Sequence, residues 1–110
     1  MNCKVHITET AESDLVEALD YIEFILLNTS ASDRLLSDFE EAADSLASEP
    51  ARFALVDDPV LRSWGIRLVT VSQYLLFYLI DSHAKTVYVV RFLHSRRDWS
   101  AILHDGISLM

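Results

Sequence analysis

GIRLVTVSQYLLFYLIDSHAKTVYVVRFLH, residues 65–94, holds three runs of β-branched and aromatic residues separated by two short polar breaks. Ile66–Val71, Tyr74–Asp81 and Thr86–His94 have the composition that suits a pleated, half-buried surface. The breaks, Ser72-Gln73 and Ser82–Lys85, are short enough for hairpins, so the three runs are expected to form an antiparallel meander. Within the second run Leu75, Phe77 and Leu79 alternate with Tyr74, Leu76, Tyr78 and Ile80, leaving both faces apolar. Helices can cover one face. The other needs the C-terminal segment, a protein partner or a second copy in a homodimer, and a protein partner is the expected cover.

Upstream, CKVHIT at residues 3–8 alternates, with Cys3, Val5 and Ile7 on one side, and reads as a further strand. Thr8 is placed to cap a helix whose first turn carries Glu9 and Glu12, carboxylates that oppose the positive end of the helix dipole. Ala11, Leu15, Ala18, Leu19, Ile22, Ile25 and Leu26 recur at spacings of three and four, an apolar stripe running to about Asn28. Ser30 with Asp33 has the capping-box spacing for a second helix, with Leu35, Leu36, Phe39, Ala42, Ala43 and Leu46 as its stripe and Pro50 beyond its end. Residues 50–64 read as an irregular connection in which Asp57-Asp58 makes a turn, and Arg96–Leu103 as a short final helix. The expected fold is α+β in one domain spanning residues 1–110: a two-helix hairpin packed on an antiparallel sheet, in the order β-α-α-β-β-β with a short C-terminal helix.

The 110 residues are 51% hydrophobic and 24% charged with two Gly and two Pro, which excludes a disordered or collagen-like chain. The longest apolar run, Tyr74–Ile80, is far short of the roughly 20 residues a membrane span needs, so a cytoplasmic protein without a membrane partner is expected. A lone Cys3 fits a reducing compartment. Net charge is −8, but unevenly spread. Residues 1–60 carry fourteen Asp/Glu against Lys4, Arg34 and Arg52, a balance of −11; residues 61–110 carry Asp81, Asp98 and Asp105 against six Lys/Arg, a balance of +3. This asymmetry fits either a basic half that meets an anionic partner or simply two Glu-rich solvated helices.

Arg67, Arg91, His94, Arg96 and Arg97 are the residues suited to chemistry. Guanidinium groups bind phosphate in bidentate fashion and stabilise charge developing on its oxygens, and a histidine near neutrality can move a proton. Strand pairing could gather them at one sheet edge as a metal-free ribonuclease site or an anion-docking surface. Their alternative roles are an ion pair between Arg91 and a helix carboxylate, a solvated Arg96-Arg97 pair, and an ordinary strand-end histidine at His94. Trp99 reads either as a packing anchor or as a target contact. His6, His83, His94 and His104 have no metal-ligand spacing, and no Gly-rich phosphate loop or nucleophile elbow occurs, so neither metal nor cofactor is expected.

The stretch from Gly65 to Leu103 resembles the C-terminal half of RelE/ParE superfamily toxins, through its Gly-Ile-Arg entry, its Tyr-Leu-Leu-Phe-Tyr strand closed by Asp81, and RFLHSRRD at 91–98. The element order extends the resemblance over nearly the whole chain. It implies the toxin of a type II toxin–antitoxin, plasmid-stabilisation type system, wrapped by a cognate antitoxin and inhibiting growth when free. ParE-like members inhibit DNA gyrase, whereas RelE-like members cut messenger RNA on the ribosome; a toxin-fold binding module without toxicity is the third reading. His94, Arg96, Arg97 and Asp98 resemble ParE-like endings. Leu103 stands near the tyrosine that RelE-like nucleases use, their lysine-rich stretch has no counterpart, and Leu79 replaces an arginine of many relatives. Arg67 and Arg97 occupy positions resembling phosphate-binding arginines of the nucleases. The resemblance therefore leans to gyrase inhibition. Arg67, Arg91, His94 and Arg97 are the expected catalytic residues if the chain is an endoribonuclease and anion or target contacts if it is not, with Arg96, Arg97 and Trp99 as expected target contacts.

Overall fold

In the computed structural model, which describes residues 2–110, strand β1 (Lys4–Ile7) leads directly into helix α1 (Glu9–Asp20). Thr8 makes the joint. Its side chain accepts from Ala11 N at 3.2 Å and donates to Val89 O at 2.8 Å, so one buried hydroxyl caps the helix and ties it to the sheet. After Asp20 the helix widens into a π turn, Tyr21–Ile25, with Leu26 N bonded to Tyr21 O. Helix α2 (Thr29–Ser45) is capped by Asn28, whose Oδ1 accepts from Ala31 N at 3.0 Å. The cap is thus two residues earlier than the Ser30–Asp33 spacing implied.

The π turn also corrects the expected stripe. Ile25 and Leu26, placed in the core by three-and-four spacing, are 66% and 56% exposed. An i→i+5 turn inserts an extra residue and advances the helical phase by about 100°. Side chains beyond it therefore rotate off the core face.

The chain then passes a 3-10 turn (Pro50–Arg52) and a short helix, α3 (Pro59–Ser63), in place of the wholly irregular connection expected there. Strands β2 (Arg67–Val71), β3 (Tyr74–Asp81) and β4 (Thr86–His94) follow as the expected antiparallel meander, and α4 (Trp99–His104) closes the fold. The sheet order is β1-β4-β3-β2, with β1 parallel to β4 in the register Lys4↔Thr86 to Ile7↔Val89. The sheet is mixed rather than wholly antiparallel, because alternation reveals a strand but not its neighbour's direction.

Between Phe77 and Tyr78 the register slips, so that Phe77 faces Arg91 while Tyr78 faces Val89 and Val90 is an extra residue. The bulge inverts the alternation of β4. Val87, Val89 and Phe92 pack beneath α1 and α2; Val90 and Leu93 join the opposite core. That opposite core, built on Ile66, Phe77, Val90 and Leu93, is closed by Val56, Leu61 and Leu103, with Trp99, Ile102 and Ile107 at its margin. α3, α4 and the C-terminal segment cover it, which overturns the expectation that a protein partner would be needed there.

Asp58 holds that cover together. Its Oδ1 caps α3 by accepting from Val60 N and Leu61 N, and its Oδ2 meets Ser100 Oγ at 2.6 Å and His104 Nε2 at 2.8 Å on α4. Hydrogen bonds from Ser100, His104 and Leu61 hold its carboxyl well below the ordinary carboxylate range. Ser, His and Asp meet here without forming a nucleophilic relay, since the serine bonds the aspartate and not the histidine. No helix among the described residues is long and apolar enough to cross a membrane.

Candidate functional site

β4 ends at His94, and the chain turns at once. Ser95 N bonds Gln73 O in the β2–β3 turn, Arg97 N bonds His94 O, and Asp98 caps α4 by accepting from Ala101 N. The tight turn projects Arg96 and Arg97 into solvent. Tyr74, opposite His94 in the register, stacks on Phe92 at 5.0 Å and meets the His94 ring edge-on at 5.1 Å.

These residues face α1 across a cavity of about 380 Å³, whose polar lining is Asp14, Glu17, Tyr21, Tyr74, His94 and Arg97. Tyr21, Tyr74 and His94 also line an adjoining recess of about 260 Å³ that extends past Asn28 and Arg34 to Ser72. Burial, with a contribution from Tyr21, raises the Tyr74 phenol above its ordinary 10.0, so its hydroxyl stays neutral.

The predicted arginines do not converge there. Arg91 is held by Asp14 through two bonds, Nε to Oδ2 at 2.7 Å and Nη2 to Oδ1 at 3.0 Å, and the same carboxylate accepts from Phe92 N. Of the two roles open to Arg91 in the sequence, the structure shows the ion pair with a helix carboxylate. Asp14 thereby serves the edge of β4 just beyond the last β1 pairing, Ile7↔Val89. Arg67 lies two strands away on β2, where its Nη1 donates to Phe53 O at 2.6 Å and Ala51 O at 3.3 Å. It fastens the 3-10 turn to the sheet, beside the Tyr78 hydroxyl that donates to Pro50 O. Trp99 is half-buried with its ring against Phe77 at 5.2 Å, so the geometry shows it as a packing anchor. His94 and Arg97 alone of the predicted catalytic set line the cavity.

Its electrostatics are mixed. Asp14 is neutralised by Arg91, which leaves Glu17 to oppose an incoming phosphate and Arg97 as the one arginine in the lining. His94 Nδ1 accepts the Arg96 N–H at 3.1 Å, which assigns the proton of the neutral ring to Nε2. That tautomer offers no lone pair to a substrate hydroxyl. Lys4 and Lys85, bonded backbone to backbone, sit at the other end of β4.

Asp14, Tyr21 and Tyr74 were missed as site residues. Asp14 had a signal: it stands at a stripe position among Ala11, Leu15 and Ala18, where a charge must find a partner. The tyrosines carried none beyond their type.

A family model described as ParE toxin of the type II toxin–antitoxin system parDE matches residues 5–99. Among solved structures, the chromosomal ParDE toxin–antitoxin system of Pseudomonas aeruginosa is similar with a TM-score of 0.67 at 17% identity, over 84% of this chain and 95% of that one. The RelBE2 toxin–antitoxin complex of Mycobacterium tuberculosis is similar with a TM-score of 0.64 at 25% identity, over 86% of this chain and 99% of that one. No curated protein sequence matches the chain.

Proposed function

We propose, because the chain belongs to the ParE toxin family of type II toxin–antitoxin systems, that it is neutralised by a cognate antitoxin in the cytoplasm and, when free, arrests growth by binding DNA gyrase rather than by cutting RNA. The disposition of cations around His94 carries the choice. Cleavage through a 2′-hydroxyl needs a base to take its proton and positive charge on the phosphate. Here Arg91 is occupied by Asp14, Arg67 by backbone carbonyls and His94 Nδ1 by the Arg96 amide. A protein target makes no such demand. Exposed Arg96 and Arg97 are then target contacts, with His94 and Tyr74 supporting the turn that presents them.

Ribosome-dependent cleavage of messenger RNA is the second reading, favoured by the meeting of His94, Arg97 and two tyrosines in the lining of one cavity. Expression from a tightly controlled promoter, with and without the neighbouring small gene, tests the toxin reading. Growth arrest relieved by the neighbour is expected. Unimpeded growth in both conditions would leave a toxin-fold binding module.

A further inference from the structure

The apex of the α1–α2 hairpin is built against the usual chemistry of a turn. Phe24, Ile25, Leu26 and Leu27 are consecutive and 64%, 66%, 56% and 82% exposed. Leu27 also holds a φ of 52°, a left-handed conformation in which a branched side chain is strained. The π turn directs the run outward. The left-handed residue serves the chain reversal, since Asn28 N bonds Ile22 O before Asn28 caps α2, a place glycine or asparagine fills with less strain. The exposure of four apolar side chains gains nothing within this chain, and π turns and strained residues gather at functional sites.

The surrounding charge identifies the occupant. From Glu9 to Ser45 the chain carries eleven Asp/Glu and one basic residue, Arg34. Asp20, Glu23 and Asp33 flank the apex, and none has a cation within ion-pair distance among the described residues. Two copies meeting apex to apex would bring these carboxylates together, which disfavours a homodimer through this surface. Four exposed apolar residues in a row are an aggregation hazard unless covered for most of the chain's life, as in an obligate complex and unlike an occasional encounter.

We propose that the apex, Phe24–Leu27, is a docking knob for the cognate antitoxin, and that the antitoxin segment seated on it is apolar at its centre with Lys or Arg on its flanks. This rests on the toxin–antitoxin reading above. Complementary charge steers encounter and fixes register, while the apolar centre supplies the burial.

The test uses the double variant Phe24→Ser/Leu27→Asn and the single variant Leu27→Asn. Asparagine tolerates the left-handed backbone, so Leu27→Asn is expected to fold at least as well as the parent. Binding is measured against the purified product of the neighbouring gene, alongside growth with that gene co-expressed and the elution volume of the free protein. Affinity is expected to fall about tenfold or more in the double variant, to weaken in the parent as salt is added, and to leave the variant toxic despite its neighbour. A variant neutralised as well as the parent would overturn the docking assignment and leave the toxin reading intact. So would a variant that loses toxicity while still binding the neighbour, or a parental dimer that the variant dissociates. A parent that neither arrests growth nor binds its neighbour would overturn the toxin reading and the docking assignment with it.

Discussion

Removing Asp14 is expected to destabilise the fold well beyond what a surface charge could do. The carboxylate accepts two bonds from Arg91 and one from Phe92 N, and the two side chains are 9% and 19% exposed. Breaking a fully buried pair by deleting one partner costs about 3–5 kcal/mol, because the other charge is left behind. A fifth of Arg91 remains accessible, so solvent screens part of that penalty and about 2 kcal/mol is appropriate for the stranded guanidinium. Losing the acceptor of Phe92 N adds about 1 kcal/mol. Asp14→Ala should therefore cost about 3 kcal/mol in urea unfolding at neutral pH, a large share of the roughly 5–15 kcal/mol of a small domain. Arg91→Met keeps the Phe92 bond and should cost about 2 kcal/mol. The double variant should fall short of their sum by about 1 kcal/mol or more, the mark of two residues sharing one interaction. If Asp14→Ala costs less than about 0.5 kcal/mol and the two changes add, Arg91 is free and the argument against its catalytic use fails.

Three other outcomes follow from the same contacts. Tyr78→Phe removes the hydroxyl that donates to Pro50 O at 2.6 Å from a fully buried ring, and should lower stability by about 1–2 kcal/mol in the same unfolding assay. Asp58 is depressed below its ordinary 3.8 in the folded protein, so the stability it contributes is present above about pH 4 and lost as pH falls toward its folded value. Unfolding midpoints should accordingly drop more steeply below pH 4 in the parent than in Asp58→Asn, and equal slopes would deny the clamp between α3 and α4. Arg97→Ala should weaken growth arrest while changing stability by no more than about 0.5 kcal/mol, its side chain being exposed; an unfolded variant would contradict its placement at the cavity mouth.

How far the fold could be read depended on which interactions leave a local trace. Alternation and short polar breaks disclosed β2, β3 and β4, and Thr8 followed by Glu9 and Glu12 disclosed the start of α1 within a residue. Helix α3 has a local trace as well, since Asp58 followed by Pro59 is a helix cap and a proline at the first helical position. The parallel pairing of β1 left none, because side-chain period carries no direction. The π turn left none either: Ile25 and Leu26 fit the stripe until one inserted residue rotates them away.

The candidate site was less legible for a related reason. Which arginines meet depends on the extra residue at Val90, on the edge of β4 left open after Ile7, and on a carboxylate at Asp14 far off in the chain. None of these can be counted from the spacing of RFLHSRRD. Burial of the second sheet face likewise depended on where Leu61 and Leu103 return.

Gyrase-catalysed supercoiling, measured with the purified toxin alongside the integrity of messenger RNA in a translation extract given the same protein, tests the central claim most directly. Loss of supercoiling with messenger intact is the predicted result. Messenger cut in the extract while supercoiling proceeds would contradict it, and would return His94 and Arg97 to catalytic roles.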